Sequence, residues 1–215
     1  MDKLVPAFKE SVFDAHLSDV LGETVEFGID SVLDEGILKD IPFVSTIIGI
    51  AKTAQNIYDR NLLRQTAAFI QTFNVGSISP KKIEKYRAKI DSDPQFAEQE
   101  LSRILVLLNG NIDLEKSRIL AKFYRAYVEE KINWEQFCEL SEILHRIFIS
   151  DICLLDDIYN GEILKQADYP QYRVERLIAL GLINHKKIGF SFGNQNITSN
   201  PAQNEIGRLF YQLYK

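Results

Sequence analysis

Residues 41–51, IPFVSTIIGIA, carry apolar or small side chains on every side once coiled into a helix, and no other stretch restricts the fold as much. A helix without a polar face belongs among other helices or inside a membrane. The run holds eleven residues bounded by Lys39, Asp40 and Lys52, whereas a bilayer span needs about 20. The expectation is therefore an inner helix of a multi-helix bundle. Its sharper alternative is a concealed membrane-active segment, held inside the bundle until a trigger releases it, with Gly49 within it.

The flanking sequence fits a bundle. Between residues 7 and 35, Phe8, Val12, Leu17, Val20, Leu21, Val25, Ile29, Val32 and Leu33 recur close to one helical face, and Gly36 suits a stop. Asp40 is placed to cap the next helix, with Pro42 in its first turn, where a missing N–H costs nothing. NVGSISP at 74–80 interrupts the pattern. Ser79-Pro80 and Asp93-Pro94 then read as helix starts, and Asp113 as the cap of a helix carrying Leu120, Ala121, Tyr124, Tyr127 and Val128. The strongest local signal is KINWEQF. Asn133 and Gln136 have capping-box spacing, and Ile132 and Phe137 flank them as a hydrophobic staple. Phe137, Leu140, Leu144, Phe148, Ile152 and Leu155 follow at helical spacing and read as one helix. Cys138 and Cys153 lie on that helix, which at about 1.5 Å per residue holds them too far apart for a bridge. Reduced, buried thiols of a cytoplasmic protein are expected.

At 215 residues, 46% hydrophobic and 26% charged, the chain has the balance of a globular protein with a normal core. Its first residues, MDKLVPAFKESVFDAH, lack the apolar core of a secretory signal. The net charge of −5 lies wholly in residues 1–75, with 6 basic and 11 acidic side chains; residues 76–149 hold 12 of each and residues 150–215 hold 7 of each. No segment has the basic excess of a dedicated nucleic-acid binder.

From about residue 150 the texture changes to short helices, the sequence RVERLIALGLI, a ribbon-like INHKK…IGFSFGNQNITSN and a closing helix, PAQNEIGRLFYQLYK, that opens with a polar-to-glycine motif, Asn204 to Gly207. This order resembles a winged helix-turn-helix over residues 151–215. The resemblance implies a third helix and a wing that meet a macromolecule, either DNA or a protein. Residues 1–150 form the expected α-helical bundle. The stretch IPFVSTIIGIAKTAQNIYDRNLLRQTAAFI, with KINWEQF later, resembles a group of bacterial helical proteins of no known activity, which implies a bacterial source and no chemistry.

On the helix at 173–179, Val174, Leu177 and Ile178 form the packing face, while Tyr172, Arg173 and Arg176 fall opposite, with Lys186 and Lys187 on the wing. These five are the candidate recognition residues. Arginines there suit guanine edges or phosphates, but Asp156, Asp157, Glu162, Asp168 and Glu175 neutralise the module, and phosphate contacts supply most non-specific affinity. Lys81, Lys85 and Lys89, with Lys82 and Arg87 nearby, form the one basic cluster, which reads mainly as a solvated helix face. Glu23, Glu26, Asp30 and Asp34 form an acidic stripe, and Glu142 with His145 has the Glu-x-x-His spacing of di-iron bundles. A second such pair is missing, so no metal is expected. Cys138 and His145 are seven residues apart, too far for a nucleophile and its base, and His16 and His185 are isolated. Glycine-rich phosphate loops and catalytic motifs are absent.

The sequence thus predicts a mainly α-helical, non-enzymatic cytoplasmic protein without cofactor or small-molecule substrate. It is expected to be an adaptor or regulator that binds a protein through its C-terminal module. The alternatives are a DNA-binding regulator using the same residues and a membrane-active effector using 41–51.

Overall fold

The computed structural model describes residues 3–14, 41–51, 57–75, 78–161, 170–185 and 201–215, and the chain is mainly α-helical with a small antiparallel pair of strands near its C-terminus. It divides into two compact units, Met1–Ser141 and Glu142–Lys215. The division falls inside a helix, somewhat before the change of sequence texture at about 150.

Unit 1 contains α1 (Leu4–Val12), α2 (Pro42–Ala51), α3 (Ile57–Asn74), α4 (Pro80–Ser92), α5 (Pro94–Gly110), α6 (Leu114–Val128) and most of α7 (Trp134–Arg146). The single helix read over 7–35 is not continuous: α1 starts earlier, at Leu4, and ends at Val12, where Phe13 (φ −101°, ψ 10°) leaves the helical path, and the rest of that reading from residue 15 lies outside the described residues. Gly36, Asp40, His16 and the stripe of Glu23, Glu26, Asp30 and Asp34 lie outside the described residues. Helix α2 has its apolar partners: Phe43, Val44 and Ile47 are buried, the Phe43 ring meets Phe8 edge-on at 5.6 Å, and Phe43 N–H donates to Ser11 Oγ at 3.1 Å.

The middle of unit 1 is aromatic. Phe8, Phe69, Phe73, Phe123, Tyr124 and Phe137 are wholly buried, and the rings of Phe69, Phe73, Tyr124 and Phe137 follow one another at 5.5–6.3 Å. Each such ring contributes about 2 kcal/mol through the apolar surface it removes from water. Helix α3 packs most extensively on α6. At the end of that seam Gln65 is buried, donating to the Ile112 carbonyl at 3.0 Å and accepting from Ser117 Oγ at 2.6 Å.

The local start signals act as read at three places. Pro80 opens α4. Asp93 accepts from Phe96 N–H at 3.0 Å to open α5. Asn133 and Gln136 exchange backbone-to-side-chain bonds at 2.8 and 2.9 Å to open α7. Asp113 stands at the start of α6 without a side-chain capping bond.

Unit 2 contains α8 (Ile149–Asn160), α9 (Gln171–Ala179), β1 (Ile183–His185), β2 (Pro201–Gln203) and α10 (Glu205–Tyr214). The single helix expected from Phe137 to Leu155 is two helices, because Phe148 is extended (φ −83°, ψ 141°) and restarts the chain as α8. The apolar spacing runs through the break, so periodicity could not see it. Cys138 and Cys153 therefore lie on separate helices. Neither forms a disulfide, and neither is buried as expected, Cys138 being half-buried and Cys153 exposed.

Helix α9 ends at Gly181 (φ 75°), with Gly181 N–H bonded to Ile178 O at 2.9 Å and Leu182 N–H to Leu177 O at 3.0 Å. This Schellman arrangement needs a residue that tolerates a left-handed backbone. Strands β1 and β2 pair antiparallel in the register Ile183–Gln203, Asn184–Ala202 and His185–Pro201. The closing helix begins at Glu205 and not at Pro201, because Asn204 caps it, accepting from Gly207 N–H at 2.8 Å. Tyr159 joins the layers of unit 2, donating to Leu182 O at 2.9 Å and accepting from Asn204 N–H at 3.2 Å.

Candidate functional site

The most structured surface feature of unit 2 grows from Asp151, in the first turn of α8. Its side chain is fully buried. A buried carboxylate is costly unless its oxygens are filled by charged donors, and α9 supplies two. Arg173 Nε donates to Oδ1 at 2.8 Å, while Arg176 donates through Nε to Oδ2 and through a terminal nitrogen to Oδ1, both at 2.8 Å. Arg173 also donates to the Ser150 carbonyl. Burial alone would push the Asp151 carboxyl up. The hydrogen bonds of Arg176 and Arg173, and then their charges, outweigh burial and hold it below the ordinary carboxylate range.

This anchor fixes Arg176 between two aromatic rings. Its guanidinium carbon lies 4.5 Å from the Phe148 centroid and 5.1 Å from that of Tyr172. Both rings face solvent, Phe148 at 57% and Tyr172 at 61% exposure. Phe148 stands at the break between α7 and α8, and Tyr172 in the first turn of α9. The result is a rigid plate of ring, guanidinium and ring on a buried acid.

Of the five residues singled out from sequence, Tyr172 and Arg176 are brought together here. Arg173 lies beneath, three-quarters buried and bound to Asp151. Most of its hydrogen bonding is thus spent within unit 2, on Asp151 and the Ser150 carbonyl. Lys186 and Lys187 lie outside the described residues. Comparison with protein-family models, characterised proteins and solved structures returns no match. Phe148 and Asp151 were missed: helical spacing counted Phe148 as core, and nothing local marks Asp151 as the partner of arginines more than twenty positions away.

In unit 1, an open cavity of about 720 Å³ is lined by Ile57, Tyr58, Arg60, Asn61, Arg64 and the turn at Asn109–Ile112. Among the described residues the lining includes no carboxylate, histidine or thiol. Among the described residues no three metal-ligating side chains converge, and no helix is long and apolar enough to cross a membrane.

Proposed function

We propose that this chain is a non-enzymatic adaptor or regulator that docks on a partner protein through unit 2, used as a winged-helix-like module. The observation that carries this reading is the exposed pair Phe148 and Tyr172 flanking an Arg176 held by a buried acid. Aromatic rings beside arginine are the composition of interface hot spots. A guanidinium already fixed by Asp151 also loses little further freedom on binding, which favours affinity. Reading DNA would call on the same guanidiniums, whose donors serve Asp151. With 7 basic and 7 acidic side chains in residues 150–215, counterion release would add little.

The test compares the wild-type chain with a Phe148→Ala, Tyr172→Ala double variant as baits for host proteins in nuclease-treated lysate. Both rings are exposed, so the variant keeps the fold. A specific partner retained by the wild type is expected to bind the variant about 30-fold more weakly, as loss of a hot spot does. Equal retention by both baits would refute this surface. Salt-sensitive binding of duplex DNA, indifferent to the two rings, would turn the reading to DNA.

A further inference from the structure

A second surface, on unit 1, is built around a glutamate in an unusual backbone state. Glu130 follows α6 with φ 58°, the one non-glycine residue with positive φ among those described. That left-handed conformation costs a side-chain-bearing residue roughly 1 kcal/mol, and it is a place where glycine is preferred. Here the side chain has an occupation: the Glu130 carboxylate accepts from Lys82 and from Lys85, one turn apart on α4. Lys85 is 71% exposed and Glu130 45%, so the arrangement lies open to water.

Two adjoining concavities meet at this point. One, of about 270 Å³, is lined by Lys82, Lys85, Tyr86, Lys89, Tyr127 and Glu130. The other, of about 450 Å³, shares Lys89, Tyr127 and Glu130 and runs on past Lys131 to Trp134 and Gln136. Among the described residues four lysines line the groove and Glu130 is the one carboxylate in its lining, in a chain whose net charge is −5. Two of them have other neighbours, since Lys89 lies 3.6 Å from the Phe96 ring centroid and Lys131 pairs with Glu129 at 2.7 Å. Along the floor, the half-buried Trp134 stacks on Phe137 at 5.0 Å and meets Tyr127 at 5.2 Å. The capping box at Asn133 and Gln136 fixes the turn that presents it.

We propose that this groove docks an acidic segment of a partner protein, with carboxylates of that segment replacing Glu130 between Lys82 and Lys85 and an apolar side chain resting on Trp134. The occupant follows from the chemistry. The lysine pair already takes a carboxylate, the surrounding charge is positive, and the aromatic floor gives an apolar residue of the same peptide a seat. Glu130 is then an internal stand-in that covers the lysines until a better-placed acid displaces it. This surface and the aromatic plate of unit 2 share no residue, and neither proposal depends on the other.

Trp134 is the only tryptophan in the chain, so its emission reports on the groove in the intact protein. The probe is a terminally blocked heptapeptide of five glutamates and two leucines, with the glutamine counterpart as control. A saturable emission change is expected with the glutamate peptide and not with the glutamine one. The Lys82→Ala, Lys85→Ala double variant should weaken binding about tenfold. Glu130→Gly frees both lysines and suits the left-handed backbone, so it should bind the peptide several-fold more tightly, a gain that unfolding cannot mimic. Equal responses to the two peptides, an unchanged affinity in the lysine variant, or no gain in Glu130→Gly would each overturn the proposal. So would a response confined to duplex DNA or to vesicles of anionic lipid, which would assign the groove to another partner class.

Discussion

Gly207 shows how one position can carry a whole packing arrangement. A Cβ there would stand 1.8 Å from the Leu182 carbonyl oxygen and 2.2 Å from the Tyr159 hydroxyl. The Tyr159 hydroxyl is itself fixed by its bonds to Leu182 O and Asn204 N–H, and a backbone oxygen cannot swing away as a flexible side chain can. Gly207→Ala should therefore destabilise unit 2 by about 3 kcal/mol, the upper range for overpacking, measurable as a lowered urea midpoint. A change within 0.5 kcal/mol would mean that α10 can lift off the β1 approach at little cost. In the sequence this glycine stood out only as the end of an Asn-to-Gly motif. Its partner oxygen, 25 positions upstream, gave no local sign. Asp151 is similar: an acid in a first helical turn is ordinary, and only the fold shows that two arginines require it.

At the scale of elements, the helix starts were the most readable part of the chain, because caps and prolines act within one turn. They are not equal in energy, however. Asn133 and Gln136 satisfy one another's backbone N–H groups, whereas Asp113 makes no capping bond. Asn133→Ala should cost about 1 kcal/mol, and Asp113→Ala less than about 0.5 kcal/mol. Chemical denaturation of the two variants side by side checks the difference, and similar losses would show that position rather than the observed bond sets the value. The break between α7 and α8 was not readable. The apolar stripe from Phe137 to Leu155 keeps helical spacing across Phe148, so a bent pair and a straight helix present the same pattern. The second strand, Pro201–Gln203, likewise reads as part of the closing helix from sequence, since only Asn204 accepting from Gly207 N–H fixes where α10 begins.

Across the whole molecule, two buried acids give stability opposite dependences on pH. Asp151 in unit 2 is held below its ordinary range, so its contribution is present above the unfolded carboxyl value of about 3.9 and is lost as pH falls through the folded one. Glu100 in unit 1 is 2% exposed and accepts from the hydroxyls of Tyr86 and Tyr127, with Tyr86 and Tyr124 hydroxyls 2.7 Å apart beside it. Burial raises its carboxyl above the ordinary range, and the tyrosine bonds reverse that only in part. Its contribution is therefore present below the unfolded value of about 4.3 and is lost as pH rises through the folded one. In Glu100→Gln the variant-minus-wild-type Tm, followed from pH 4 to pH 8, should move steadily in the variant's favour. A difference constant with pH would show that Glu100 does not titrate in the fold. The sequence by itself determined that the chain is helical, where α4, α5 and α7 start, that α2 needs apolar cover and that a strand pair precedes the last helix, because spacing, caps and prolines act over a few residues. Only the tertiary structure decided which distant groups meet: Asp151 with Arg173 and Arg176, Lys82 and Lys85 with Glu130, Gly207 with the Leu182 carbonyl. Those pairs lie 22 to 48 positions apart in the chain, and contact at such separations is set by how whole elements pack, which no local pattern encodes.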